Sequence, residues 1–313
     1  MSQVGLAGVI AEDAEARAVI PEQVAIYLPL FRELNDLKRL YAANRGGGFS
    51  YAAHTFRVAW GAILEGDLDA TNSLASRAWA AARLGWFDEE VATVAGLTAG
   101  QLEEILRRSA ESFGLPEGGL RLDFQVPARS LPAENPWWVE ALSRQPRAGA
   151  TCPGKPRLIL EPAENHADHC LIVALYAWFL APHFQANPDE CWLAGLCHHF
   201  HNALLPDAGF SGEEMLGEHL QAIIERLRGT VLRELPGNVC ADVIKIFSEI
   251  RSDETPLART FHAADTIDRV LQMQHYERVA NFQTRHALQD LHLVHAGPTQ
   301  KFQIAVLESC GLY

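Results

Sequence analysis

Apolar residues recur at three- and four-residue spacing along most of this chain, which is the periodicity of helices and not of strands. Pro21-Glu22-Gln23 puts a proline and an acid where a helix begins. Ile26, Leu30, Leu34, Leu37 and Leu40 then mark one face of a helix over 24–43. Asn44 to Gly48 ends it. No strand precedes those glycines and no G-K-[ST] follows, so the run reads as a helix-breaking loop and not as a phosphate loop. The spacing predicts further helices over 50–64, 70–84, 87–94 and 98–113, the last opening on a capping box, Thr98-x-x-Gln101.

The pattern changes at 114–156, which is rich in proline and glycine. This segment reads as a linker or extended arm, with LRLDFQVPA at 120–128 as a short strand. NPWW at 135–138 reads as a Pro-flanked turn whose tryptophans pack the arm onto a domain. Helical spacing returns over 163–181, where the run from Cys170 is apolar for four turns. It continues over 188–197, whose start carries Asn187-Pro188-Asp189-Glu190. Helices follow over 211–227 with Ser211-x-x-Glu214 as a capping box, over 237–249 and over 256–282, and 284–313 reads as a helical tail. The expectation is an all-α protein in three parts: a helical N-terminal domain at 1–113, a Pro-rich arm at 114–156, and a helical domain at 157–313.

Composition narrows the class. Of 313 residues, 48% are hydrophobic, enough for a sizeable core, and the net charge is −13. That charge argues against nonspecific binding to nucleic acid or to an anionic membrane, both of which reward positive surfaces. The N-terminus has Glu and Asp before any long apolar stretch, so it does not read as a signal peptide, and no membrane span is expected. Six cysteines without a C-x-x-C read as free thiols in a reducing cytosol, which makes the expected location cytoplasmic.

Chemistry concentrates between Glu164 and Asp207. Of 13 histidines, His166 and His169 form one group and His198 and His199 another, with His201 close behind. Each group sits at an end of an apolar helix, and helices joined by a short connection bring such positions face to face. Neutral imidazole is the commonest metal ligand. Asp265 lies in FHAADTIDRVL, where a carboxylate among apolar residues needs a cation or a donor. Consecutive residues on a regular helix point about 100° apart, so His198 and His199 share one ion only if the helix ends there, or serve two ions side by side.

These residues resemble the HD-domain metal-dependent phosphohydrolases. ENHADHC (164–170) is similar to that family's first segment, with His169 at the ligand position, and GLCHHFHN (195–202) to its His-Asp segment, with His198 as the histidine. RTFHAADTIDRVL (259–271) is similar to the last segment and offers Asp265. The resemblance implies an HD-like helical bundle holding a divalent transition metal, Zn, Mn, Fe, Co or Ni, as one or two ions. It implies His169, His198, His199 and Asp265 as ligands, and His219 as a ligand to a second ion. Two positions depart from the family pattern: His199 replaces the aspartate of the pair, and Asn202 replaces a catalytic glutamate. With that glutamate gone, Asp207 and His201 are the expected proton-transfer groups, with Glu164 as a further candidate base. Lys155 and Arg157 are the expected phosphate cations. Glu164, Asp168 and Asp268 are within reach as carboxylates that orient the ligands, and His166, His201 and His262 are expected beside the site or at the surface. The implied activity is hydrolysis of a phosphomonoester or nucleotide-like small molecule. A non-catalytic sensor or scaffold and a di-iron oxygenase are the alternatives, and a homodimer is left open.

Overall fold

The computed structural model describes residues 22–44, 46–67, 70–114, 120, 122–124, 134–151, 163–279 and 283–313. It is all-α, with thirteen helices among the described residues: α1 Leu28–Asn35, α2 Tyr51–Leu64, α3 Ala70–Leu84, α4 Glu89–Val94, α5 Ala99–Glu111, α6 Trp137–Arg144, α7 His166–Phe184, α8 Pro188–Cys197, α9 Gly209–Leu216, α10 Leu220–Leu232, α11 Gly237–Glu249, α12 Pro256–Val279 and α13 Gln300–Ser309. Among the described residues no strand forms beyond one isolated bridge between Pro146 and Asn165. Of the expected strand at 120–128, Leu120 and 122–124 are in no strand and the rest lies outside the described residues.

α7 is the axis of the molecule. Its apolar residues surround the whole helix, and from His166 to Ala181 none is more than 2% exposed. A helix hydrophobic all round must be packed on every side, and α2, α6, α8 and α12 all pack against it. By length and composition α7 is apolar enough to cross a membrane, with a mean hydropathy of 1.2, but 89% of that stretch is buried within the protein's own core. α8 approaches it at Gly195, whose Cα faces the backbone of Ala174. Buried residues from α1–α3, α6–α8 and α12 form one continuous hydrophobic cluster, so a single core runs across the expected boundary at 113.

Local signals explain most helix starts. Ser50, Asp88, Thr98 and Asn165 each accept a hydrogen bond from a backbone N–H in the first turn of the helix they cap. The expected capping box at Thr98 forms, and Asn165 and Asp168 make a second one at the head of α7. Four expectations need correction. The segment 22–39 is a short α-helix between two 3-10 turns, Glu22–Tyr27 and Asp36–Arg39; three residues per turn shifts the register, and Ile26 emerges 48% exposed. NPWW opens α6 instead of making a turn. Trp138 is wholly buried there, with its ring centroid 4.8 Å from Trp60 and 4.9 Å from Phe200. The helix expected over 211–227 breaks at Gly217 (φ 50°), a conformation costly for residues with a Cβ. α9 begins at Gly209 without a side-chain cap, so the box expected at Ser211 does not form.

Cys170, Cys191, Cys197, Cys240 and Cys310 are free thiols, four of them buried; Cys152 lies outside the described residues. Burial, and then Arg57, pushes His54 down from 6.5 to about 4, and burial, and then Arg269, pushes His295 down to about 4. Both rings take up protons more readily in the unfolded chain. Their contribution to stability is whole above pH 6.5 and is lost as pH falls from 6.5 towards 4. Denaturant unfolding is expected to show lower stability at pH 5 than at pH 7, with His54→Gln flattening that slope. A slope unchanged by the substitution contradicts the assignment.

Candidate metal centre

α7 ends in His166 and His169 at its N-terminal turn, and α8 delivers His198 and His199 where its last turn stops. The helix does end there: His198 is the C-cap and His199 has left the helical region (φ −98°, ψ 19°), which is how two consecutive residues come to face one place. α12 brings Asp265 and Asp268 to the same point.

The hydrogen bonds fix which nitrogen of each ring is free. His169 Nδ1 lies 2.7 Å from Asp268 Oδ2, and His198 Nδ1 lies 2.7 Å from the Gly195 carbonyl. His199 Nδ1 lies 2.7 Å from Asn202 Oδ1. All three partners accept only, so each Nδ1 carries the proton and each Nε2 keeps its lone pair. His169 Nε2 then faces His198 Nε2 at 3.2 Å and Asp265 Oδ1 at 3.2 Å. Three lone pairs meeting without a hydrogen between them require a positive charge among them, a shared proton or a metal ion. One ring nitrogen each from His169, His198 and His199 lie within 4.8 Å of one another. Burial, and then its neighbour His169, pushes His198 down to about 3. Burial, and then His198, hold His199 well below its ordinary value. His198 and His199 are therefore neutral at pH 7, the state a metal needs. Nitrogen and carboxylate donors so placed fit a divalent transition ion.

The surroundings hold these ligands in place. Lys38 Nζ sits 2.7 and 2.8 Å from the two oxygens of Asp268 and 2.5 Å from Glu164 Oε1, and it is 2% exposed. Asn35 Nδ2 adds a bond of 3.0 Å to Asp268. Burial alone raises a carboxyl, but Lys38 and His169 outweigh it and hold Asp268 below the usual range. For Asp265 the same contest is won by the neighbouring His169 ring and by Arg269. Asp168 does not reach the ligands. Its carboxylate accepts from the Asn165 N–H in the capping box of α7 and takes the Ser50 hydroxyl, and burial, only partly offset by that hydroxyl, raises it to about 7.

A family model for the HD domain matches residues 139–304, just over half of the chain. The chain belongs to the HD-domain family. No curated protein and no solved structure matches it. Lys38 and Asn35 lie outside the matched stretch, so the hydrogen-bonding shell of this HD domain is completed by the N-terminal helices.

Of the residues expected from sequence, the structure brings together His169, His198, His199 and Asp265. It does not bring His219, which is 78% exposed beside Glu218. Asp207 lines the cleft over the HD ligands, but its two oxygens accept the N–H groups of Gly209 and Ala148 at 2.9 and 3.0 Å, which makes it a loop anchor. His201 lines the same cleft, and burial, then Arg228, pushes it down to about 3. His262 is held by the carbonyls of Ile250 and Ser252 at 3.0 and 3.1 Å. Lys155 and Arg157 lie outside the described residues.

Sequence reading missed Lys38 and the arginines. Lys38 follows Leu30 and Leu34 at four-residue spacing, so a cation on the apolar face was a visible signal of a buried carboxylate partner. Arg147, Arg228 and Arg269 come from three separate elements and line one cleft of about 410 Å³. Arg228 Nη2 donates to the His198 carbonyl at 3.1 Å, and its guanidinium lies 4.2 Å from the centre of the Phe247 ring. Burial works against the charge of Arg147, but Glu164, Asp207 and two further carboxylates raise its pKa and keep it protonated.

Proposed function

We propose that this HD protein is a metal-dependent phosphohydrolase acting on a small phosphomonoester, with nucleotide-like compounds as the substrate class to test first. The observation that carries the reading is the convergence of the Nε2 atoms of His169 and His198 with Asp265 Oδ1, beside a cleft that presents Arg147, Arg228 and Arg269. A bound divalent ion supplies a Lewis acid for a phosphoryl oxygen and acidifies a water.

This chain's residues supply the rest. His169, His198 and Asp265 would hold the ion, with the His199 ring beside them. Among the described residues, Arg147 Nη1 and Arg228 Nε are buried without a hydrogen-bond partner, which leaves both free to take phosphate oxygens. His201, neutral and in the cleft, takes up and passes on a proton at its ring. Asn202 cannot serve as the base, because its carbonyl orients His199. The cleft volume suits a small ligand.

Asn202 at the position of the family's catalytic glutamate, and the two backbone N–H groups on Asp207, support a second reading, a non-catalytic HD sensor that binds a phosphorylated ligand at the same centre. Assay of the metal-loaded protein against a panel of phosphomonoesters separates the two. Turnover is expected, falling to background in His169→Ala, with no divalent metal retained by that variant. Binding of phosphate compounds without turnover favours the sensor. Elemental analysis that finds no metal in the native protein sinks the hydrolase reading and favours the sensor. Two irons per chain with a visible absorption band favour the oxygenase.

A further inference from the structure

We propose that His166, His199 and Asp207 hold a second divalent ion beside the one held by His169, His198 and Asp265. The proposal rests on the metal-dependent reading above and adds a site to it.

His166 is the residue that points to the second ion. It is wholly buried, and among the described residues neither ring nitrogen has a hydrogen-bond partner. Leaving such groups unpaired costs about 1–3 kcal/mol. The neutral imidazole of His166 carries one lone pair for an ion. Its Nε2 lies 3.7 Å from Asp207 Oδ2, too far for a hydrogen bond. Two ligand atoms each about 2.0–2.2 Å from one ion stand roughly 3–4 Å apart, which brackets this gap.

His199 completes the set. Its ring centroid is 4.7 Å from that of His166 and 4.3 Å from that of His198, so it stands between the two places. Asn202 holds its Nδ1, which leaves Nε2 as the ligand. Each ion would then have two imidazoles and one carboxylate. Asp207 can serve while anchoring its loop, because an ionised carboxylate has about four acceptor positions and the backbone uses two.

Charge sets the condition for filling the second site. Glu164, Asp207, Asp265 and Asp268 face Lys38, Arg147 and Arg269, so the ionised groups nearly cancel. A second dication therefore needs an anion with it. Arg147, with Nη1 free of partners among the described residues, is placed to hold one. The second ion is expected to bind tightly only when inorganic phosphate is present.

The test is equilibrium dialysis of the full chain against cobalt(II), with and without inorganic phosphate, read by metal analysis and by the visible spectrum. Wild type is expected to bind one ion without phosphate and two with it. His166→Leu and His166→Gln are expected to bind one in both conditions. Affinity for the first ion should stay within about threefold, since His166 is not among its ligands. Asp207→Asn is the second probe should both His166 variants fold poorly, and it too is expected to stop at one ion. Wild type that never exceeds one ion with phosphate present, or a folded His166→Leu that still takes two, overturns the proposal. Wild type that binds no cobalt overturns the metal-dependent reading itself.

Discussion

Lys38→Met is expected to lose about 3–5 kcal/mol of stability and about 10–100-fold in affinity for a divalent metal. The ammonium touches both oxygens of Asp268 and one of Glu164, and neither Lys38 nor Asp268 sees solvent to any extent. Removing the cation strands two carboxylates in a buried place, which is the costly way to break such a pair. Asp268 then escapes that cost by taking a proton or by moving. Either change loosens the hydrogen bond that keeps the proton on His169 Nδ1 and aims Nε2 at the ion. Denaturant unfolding reads the first effect and metal titration reads the second. A double substitution separates them. Adding Asp268→Asn removes the stranded charge and should restore part of the stability, while metal affinity stays low. A single variant with wild-type stability and wild-type affinity would show that the contact is incidental.

Gly195→Ala is expected to be the most damaging change of one methyl group in the protein, at about 3 kcal/mol or more, the upper end of overpacking penalties. The added Cβ would stand 2.3 Å from Ala174 Cα and 2.4 Å from its backbone nitrogen. A flexible side chain could swing aside, but the backbone of a fully buried helix cannot, so α8 has to retreat from α7. His198 is three residues on and donates to the Gly195 carbonyl, so it retreats as well. The 3.2 Å approach of the two Nε2 atoms depends on this helix contact. Thermal unfolding and metal titration should therefore fall together. Loss of stability with unchanged metal affinity would mean the centre is held by other contacts.

Much of this was readable in the chain. The helix over 70–84 forms as the spacing predicts, and Ser50 and Thr98 start α2 and α5 because a capping side chain acts within its own first turn. His169, His198 and Asp265 were legible because their order along the chain and the apolar setting of each carry the information. What failed needed distance. Lys38 meets Asp268 across 230 residues, and no local pattern names that partner. His219 sits at a plausible interval after His198, but Gly217 breaks the helix just before it and its side chain ends up in solvent. Asp207 was read as a base from its place in a loop, and the N–H groups of Gly209 and Ala148 each take one acceptor position on its oxygens. That Trp138 packs was expected, but its partners Trp60 and Phe200 lie on two other elements and could not be named from the sequence.

The tie between Lys38 and Asp268 also bears on ancestry. The first residue lies before the stretch that defines the family and the second lies within it. A lineage that drops the early helices must find another counter-charge for that carboxylate or give the carboxylate up. Positions 38 and 268 should therefore covary among descendants that keep both ends, and an HD unit transplanted without its N-terminal partner should carry a neutral residue at 268.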